Sequence, residues 1–203
     1  MPARRLWLLA MVVPVLLWWG GSQATRHAAR NNEPELPNDI CFVATATPYD
    51  PQSGIAPEAP RAIPPRARCP VCGALPSRAP DWAAQLIFAN GDAYFFDSPL
   101  SLFVYLHNLP RYAPGRHAGD IVATYVRNTG DGRWLAAQQA VYVRGSSVPG
   151  PMRRGNLPAF PDGAGAQHFI ARHGGTVVRP AEITAQLLQT LEPGRAHAAA
   201  DHS

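Results

Sequence analysis

From residue 83 onward the chain passes twice through one order of signals: strand, strand, polar cap, helix, strand. That repetition limits the fold more than any other feature. In the first round residues 83–88 read as a strand, and Asn90-Gly91 follows as a hairpin signal because both residues tolerate positive φ. Residues 92–96 return as the second strand. Ser98-Pro99 opens a helix, with Ser as N-cap and Pro at the first helical position. Leu102, Phe103 and Leu106 form its apolar stripe and Pro110 ends it. Residues 120–127, rich in β-branched and aromatic side chains, make the third strand. The second round starts within residues 134–144. Its opening, Trp134-Leu135-Ala136-Ala137-Gln138-Gln139-Ala140, is similar to Trp82-Ala83-Ala84-Gln85-Leu86-Ile87-Phe88. Residues 157–160 give another strand, Asp162 caps a helix to about Arg172, and His173-Gly174-Gly175 stops it. Residues 176–178 form the last strand. Pro180 opens a final helix with Ile183, Leu187, Leu188 and Leu191 on one side. The expected fold class is α+β, two strand-strand-helix-strand units packed together.

The flanks differ in composition. Arg4-Arg5 precede an apolar run over residues 6–19, and Ser22-Gln23-Ala24 offers a small-residue cleavage site. Residues 1–24 therefore read as a signal peptide or an N-terminal membrane anchor, with attachment through residues 4–21 in the second case, and the body as exported, into the periplasm or beyond. Residues 25–68 hold eight prolines, Pro34 to Pro65, which lack the N–H that ladders and helices use, so this approach segment is expected to be extended and irregular. Its one apolar island surrounds Cys41. Residues 69–192 form the body, and 193–203 an Ala/His-rich tail expected to be disordered. The net charge of +4 comes from scattered arginines without a lysine. A nucleic-acid groove needs clustered basic residues, so no nucleic-acid partner is expected.

The chemistry concentrates at Cys69-Pro70-Val71-Cys72-Gly73. A C-x-x-C turn aims two sulfurs at one spot, where they bind a soft metal or close a small disulfide. A zinc ribbon would need a second pair of ligands, and the one other cysteine is Cys41. Three cysteines is an odd number for an exported chain, so at least one is unpaired or ligates something. Beyond Met1 and Met11 the sole methionine is Met152, in the loop Gly150-Pro151-Met152-Arg153, which makes it a candidate thioether ligand. Asp97 reads as a helix-start device and His173 as a C-terminal cap rather than a ligand. No G-x-S-x-G, H-E-x-x-H or phosphate-cradling loop is present, and no enzyme activity is expected. Two alternatives stand beside metal binding. One is a thiol-disulfide oxidoreductase, which Gly73, Pro76 and Pro80 disfavour because no helix can start on Cys72. The other is a docking module stapled by a structural Cys69–Cys72 disulfide.

In order along the chain, Cys69-Pro70-Val71-Cys72-Gly73, Trp82 to Phe88, Asn90-Gly91, Phe96-Asp97-Ser98-Pro99, Ala140-Val141-Tyr142-Val143, Gly150-Pro151-Met152, Leu157-Pro158-Ala159-Phe160 and His173-Gly174-Gly175 resemble the NosL family. Its members are exported copper-binding accessory proteins of nitrous oxide reductase maturation. The resemblance implies a fold similar to the organomercurial lyases and a Cu(I) site on the second cysteine, the methionine of Cys-Gly-Met and the methionine of Pro-Met-Gly. Cys72 and Met152 match that pattern, whereas Ala74 stands at the first methionine and Arg153 at the glycine. The implied role is a metallochaperone delivering copper to an exported enzyme, nitrous oxide reductase on the family's pattern. The expected ligand set is Cys72, Met152 and Cys69, with Cys69 replacing the thioether lost at Ala74.

Overall fold

The computed structural model describes residues 44–151 and 156–191. They fall within one compact unit, Phe42–Ser203. The leader, Cys41, Met152 and the tail lie outside the described residues. Among those described, no helix is long and apolar enough to cross a membrane.

The first unit runs β1 (Ala84–Phe88), β2 (Ala93–Phe96), α1 (Pro99–His107), a short α2 (Leu109–Tyr112) and β3 (Ile121–Arg127). The second runs β5 (Val141–Arg144), β6 (Ala159–Phe160), α3 (Gly163–His173) and β7 (Thr176–Val178), followed by α4 (Ala185–Leu191). Both sheets are antiparallel and place the unit's first strand in the middle, β2-β1-β3 and β6-β5-β7. The expected pair of strand-strand-helix-strand units is therefore present, with one correction. Trp134–Ala136 is β4, which pairs with β3 and ends the first sheet. The two similar stretches thus lie in the same sheet, and the counterpart of β1 in the second unit is β5. The expected hairpin joins β1 and β2: Phe88 N–H bonds Asp92 O, and three residues, Ala89-Asn90-Gly91, make its turn. Gly91 has φ +82°, and a Cβ there would lie 2.6 Å from that of Tyr49.

Capping follows side-chain chemistry. Ser98 Oγ accepts from Ser101 N–H at the start of α1, and Asp162 Oδ1 accepts from Gly165 N–H at 2.8 Å at the start of α3. Pro180 starts a separate short turn, Pro180–Glu182, and α4 begins after it.

Alternation along β1 sorts the layers. Ala84, Leu86 and Phe88 face the main core, where they meet Leu102 and Tyr105 of α1, Leu188 of α4, and Tyr142, Ala159 and Val178 of the second sheet. One core thus joins the two units, crossed by an edge-to-face pair, Phe103 on Tyr142, at 5.2 Å. Val141, Val143, Phe160 and Phe169 fill the space between the second sheet and α3.

The opposite face of the first sheet, Ile87, Ala93, Phe95, Ala123 and Tyr125, is covered by Ile63 and Ala67 of the Pro-rich segment. This segment has few regular elements but is fastened. Thr47 and Ala93 exchange backbone hydrogen bonds at 2.8 Å, covering the β2 edge. The fully buried Gln85 accepts from Arg61 N–H at 3.0 Å and donates to Arg61 O at 3.3 Å. Gln85→Ala would remove both bonds and leave two backbone groups without a partner, a loss of about 1–3 kcal/mol. The expected outcome is a lower urea midpoint together with faster proteolysis near Arg61. Cleavage there at the wild-type rate would contradict the docking role of Gln85.

Candidate metal centre

The cysteines sit on a tight turn just before the first unit. Gly73 N–H returns to Cys69 O and Cys69 N–H bonds Ala74 O, both at 2.8 Å. Gly73 reaches the required φ of +75°, where a side chain would be strained. Arg68 Nη1 donates to Gly73 O at 3.0 Å. Val71, half-buried, packs against the main core and anchors the turn on the body.

The second part of the site comes from the strand-helix junction. Asp97 follows the last residue of β2 and precedes the Ser98 cap of α1, and it is 3% exposed. Cys69 Sγ, Cys72 Sγ and an Asp97 carboxylate oxygen all lie within 4.8 Å of one another. Cys72 Sγ–H donates to Asp97 Oδ1 at 3.3 Å. Ser98 performs the capping, so Asp97 is a member of the sulfur site and the reading of it as a helix-start device is corrected. A sequence signal existed: Ser98-Pro99 is already a sufficient helix start, which leaves Asp97 surplus to that task.

The two thiols are unequal. Cys69 is 1% exposed and Cys72 is exposed. Burial, above all, pushes the Cys69 thiol far up, helped by the hydrogen bond to Cys72 and the Asp97 carboxylate. The hydrogen bond from Cys69 holds Cys72 below the ordinary thiol range, against burial and Asp97. Neither cysteine is in a disulfide. Iodoacetamide should therefore modify Cys72 in the reduced, folded protein and spare Cys69 until unfolding. Equal rates in peptide mapping would contradict this asymmetry.

The pair sits on a turn, and the next regular element is the three-residue helical turn Pro76–Arg78, so no helix starts on Cys72. The helix N-terminus that activates oxidoreductase thiols is missing. Two sulfurs and one oxygen converging at the rim of the core form a donor set suited to holding a thiophilic metal ion. His173, in the last turn of α3, packs its ring 4.7 Å from that of Phe169. Of the residues expected from sequence to ligate, Cys69 and Cys72 are brought together. Met152 lies outside the described residues, although its neighbours Gly150 and Asn156 are both buried.

Comparison with known proteins places the chain by family and fold. A family model described as NosL matches residues 60–188, more than half of the chain. The crystal structure of the copper chaperone NosL from Shewanella denitrificans is similar at 25% sequence identity and TM-score 0.54, covering 64% of this chain and 99% of that one. The solution structure of the apo-NosL protein from Achromobacter cycloclastes aligns at 28% identity and TM-score 0.38, over 52% of this chain and 87% of that one. No curated protein matches the chain.

Proposed function

The chain belongs to the NosL family, and we propose that it is an exported Cu(I) carrier, a metallochaperone that hands copper to an exported copper enzyme. The observation that carries the reading is the convergence of Cys69, Cys72 and Asp97 within 4.8 Å, with Cys72 exposed to a partner. Cu(I) is soft and accepts two or three thiolate or thioether ligands. Cys69 and Cys72 supply two, and Met152, the thioether of the Gly150-Pro151-Met152 sequence, is the proposed third. Ala74 cannot contribute, so the buried Cys69 stands in for a thioether. The similarity to a copper chaperone from Shewanella denitrificans supports the choice of metal.

A carrier must release what it holds. Cys72 is the exposed ligand, so a partner's sulfur or imidazole can attack the metal from that side while Cys69 remains in the core. The basic, apolar start of the chain supports export. Nitrous oxide reductase is the recipient that the family resemblance suggests.

Delivery is tested by mixing the Cu(I)-loaded protein with metal-free nitrous oxide reductase under reducing, anaerobic conditions, then separating the two. Copper moving to the enzyme faster than from a small-molecule Cu(I) complex of matched affinity supports the role. Copper that stays on the carrier in the presence of excess enzyme rules out that recipient.

A further inference from the structure

We propose that Arg66 and Arg78 form a basic rim beside Cys72, and that this rim docks a protein acceptor whose own metal entry is surrounded by Asp and Glu side chains. This names the kind of partner and rests on the carrier reading above. Its basis is charge placement. Residues 59–80 hold four arginines, Arg61, Arg66, Arg68 and Arg78, and no acidic residue.

Two hydrogen-bonded rungs close this stretch into a loop. Cys69 N–H bonds Ala74 O at 2.8 Å, and Ser77 Oγ donates to Pro65 O at 3.1 Å. Arg66 and Arg78 therefore flank the neck of the loop that carries Cys72. At no more than about 3.6 Å per residue, Arg66 lies within about 11 Å of Cys69 and Arg78 within about 14 Å of Ala74, Cα to Cα. These spans are comparable to the Debye length of about 10 Å at 0.1 M salt. Both arginines are exposed, as is Cys72. Among the described residues neither guanidinium has a hydrogen bond or an ion pair. Nearby acids are engaged elsewhere. Asp81 acts on Arg127, Asp92 pairs with Arg116 at 2.6 Å, and Asp97 is buried against the sulfurs.

Transfer requires the acceptor's ligating atom to reach the metal from the exposed Cys72 side. The surface around that atom then comes up against the rim. Carboxylates there are attracted and basic groups repelled, and steering of this kind raises association rates about 10- to 1,000-fold. An anionic lipid surface would meet the same charges but offers no soft ligand for Cu(I), which favours a protein as the occupant.

The test compares the full, reduced chain carrying Cys41→Ser with the same chain carrying Arg66→Glu and Arg78→Glu in addition. Without metal, Cys72 is reacted with an anionic aromatic disulfide, dithiobis(nitrobenzoate), and with the dicationic disulfide cystamine. The two substitutions should lower the ratio of anionic to cationic rate at least about tenfold at low salt, and high salt should shrink the difference. With Cu(I) loaded, transfer is timed to two Cys-x-x-Cys peptides, one flanked by glutamates and one by lysines. The parent chain should favour the glutamate peptide at least about tenfold, and the variant should lose that preference while keeping its Cu(I) affinity and circular dichroism. An unchanged disulfide ratio, equal rates to the two peptides, or a fall in Cu(I) affinity in the folded variant overturns the proposal. Binding to phosphatidylglycerol vesicles that the variant loses, with the peptide preference kept, assigns the rim to lipid and overturns it as well. A chain that takes up no Cu(I) overturns the carrier reading together with this one, whereas Cu(I) uptake with equal peptide rates overturns this one alone.

Discussion

Cys72→Ser should lower Cu(I) affinity more than about 100-fold, roughly 2.8 kcal/mol or more. Loss of an outer hydrogen-bond partner alone typically costs 10–100-fold in metal affinity, and Cys72 is a ligand itself. The effect should greatly exceed any change in stability, because Cys72 is exposed and no core packing is lost. Serine keeps the size but offers a hard oxygen that Cu(I) binds poorly. Competition against a Cu(I) chelator at fixed reductant measures it, with circular dichroism to verify the fold. Cys69→Ser should also weaken binding, and it carries a cost of its own because it places a hydroxyl in the core. If Cys69→Ser binds copper as wild type does, the substitute-ligand role of Cys69 is wrong and the shell reduces to Cys72 and Met152.

Tyr142→Ala should destabilise the fold by about 3–5 kcal/mol, the range for removing a large buried aromatic ring. Tyr142 is fully buried in β5, packs edge-to-face on Phe103 of α1, and donates its hydroxyl to Ala137 O at 2.8 Å. It therefore ties the second sheet to the first unit through both packing and a hydrogen bond. Tyr142→Phe keeps the ring and strands the carbonyl, so its expected cost is smaller, about 1–3 kcal/mol. Denaturant titration separates the two, because both should lower the midpoint with little change in slope. A Tyr142→Ala protein with a wild-type midpoint would mean that the two units do not share a core.

Much of this fold is legible in local chemistry. Ser98-Pro99 and Asp162 cap helices where their side chains dictate, and the β-branched and aromatic runs become β3 and β7. The error at Trp134 has a physical origin. Composition shows that Trp134-Leu135-Ala136 can extend, but which sheet it joins depends on β3 offering a free edge, a long-range fact. Gln85 looks misplaced in an apolar strand until Arg61 is seen to bond it, because its two partners come from a segment 24 residues away. Asp97 was hidden for a related reason: the helix start next to it supplied a sufficient local explanation, while its actual partner, Cys72, lies 25 residues earlier. The C-x-x-C turn, by contrast, carries its geometry within five residues, so the convergence of its sulfurs is predictable from spacing alone.

Central to the proposed function is a sulfur-held Cu(I) whose ligands come from both units. X-ray absorption on the Cu(I)-loaded wild type and on Met152→Leu tests it most directly. The predicted wild-type shell contains three sulfurs, and Met152→Leu should lose one sulfur, keep two and bind copper more weakly with its fold intact. A wild-type shell dominated by nitrogen or oxygen, or a sulfur count unchanged by Met152→Leu, would contradict it.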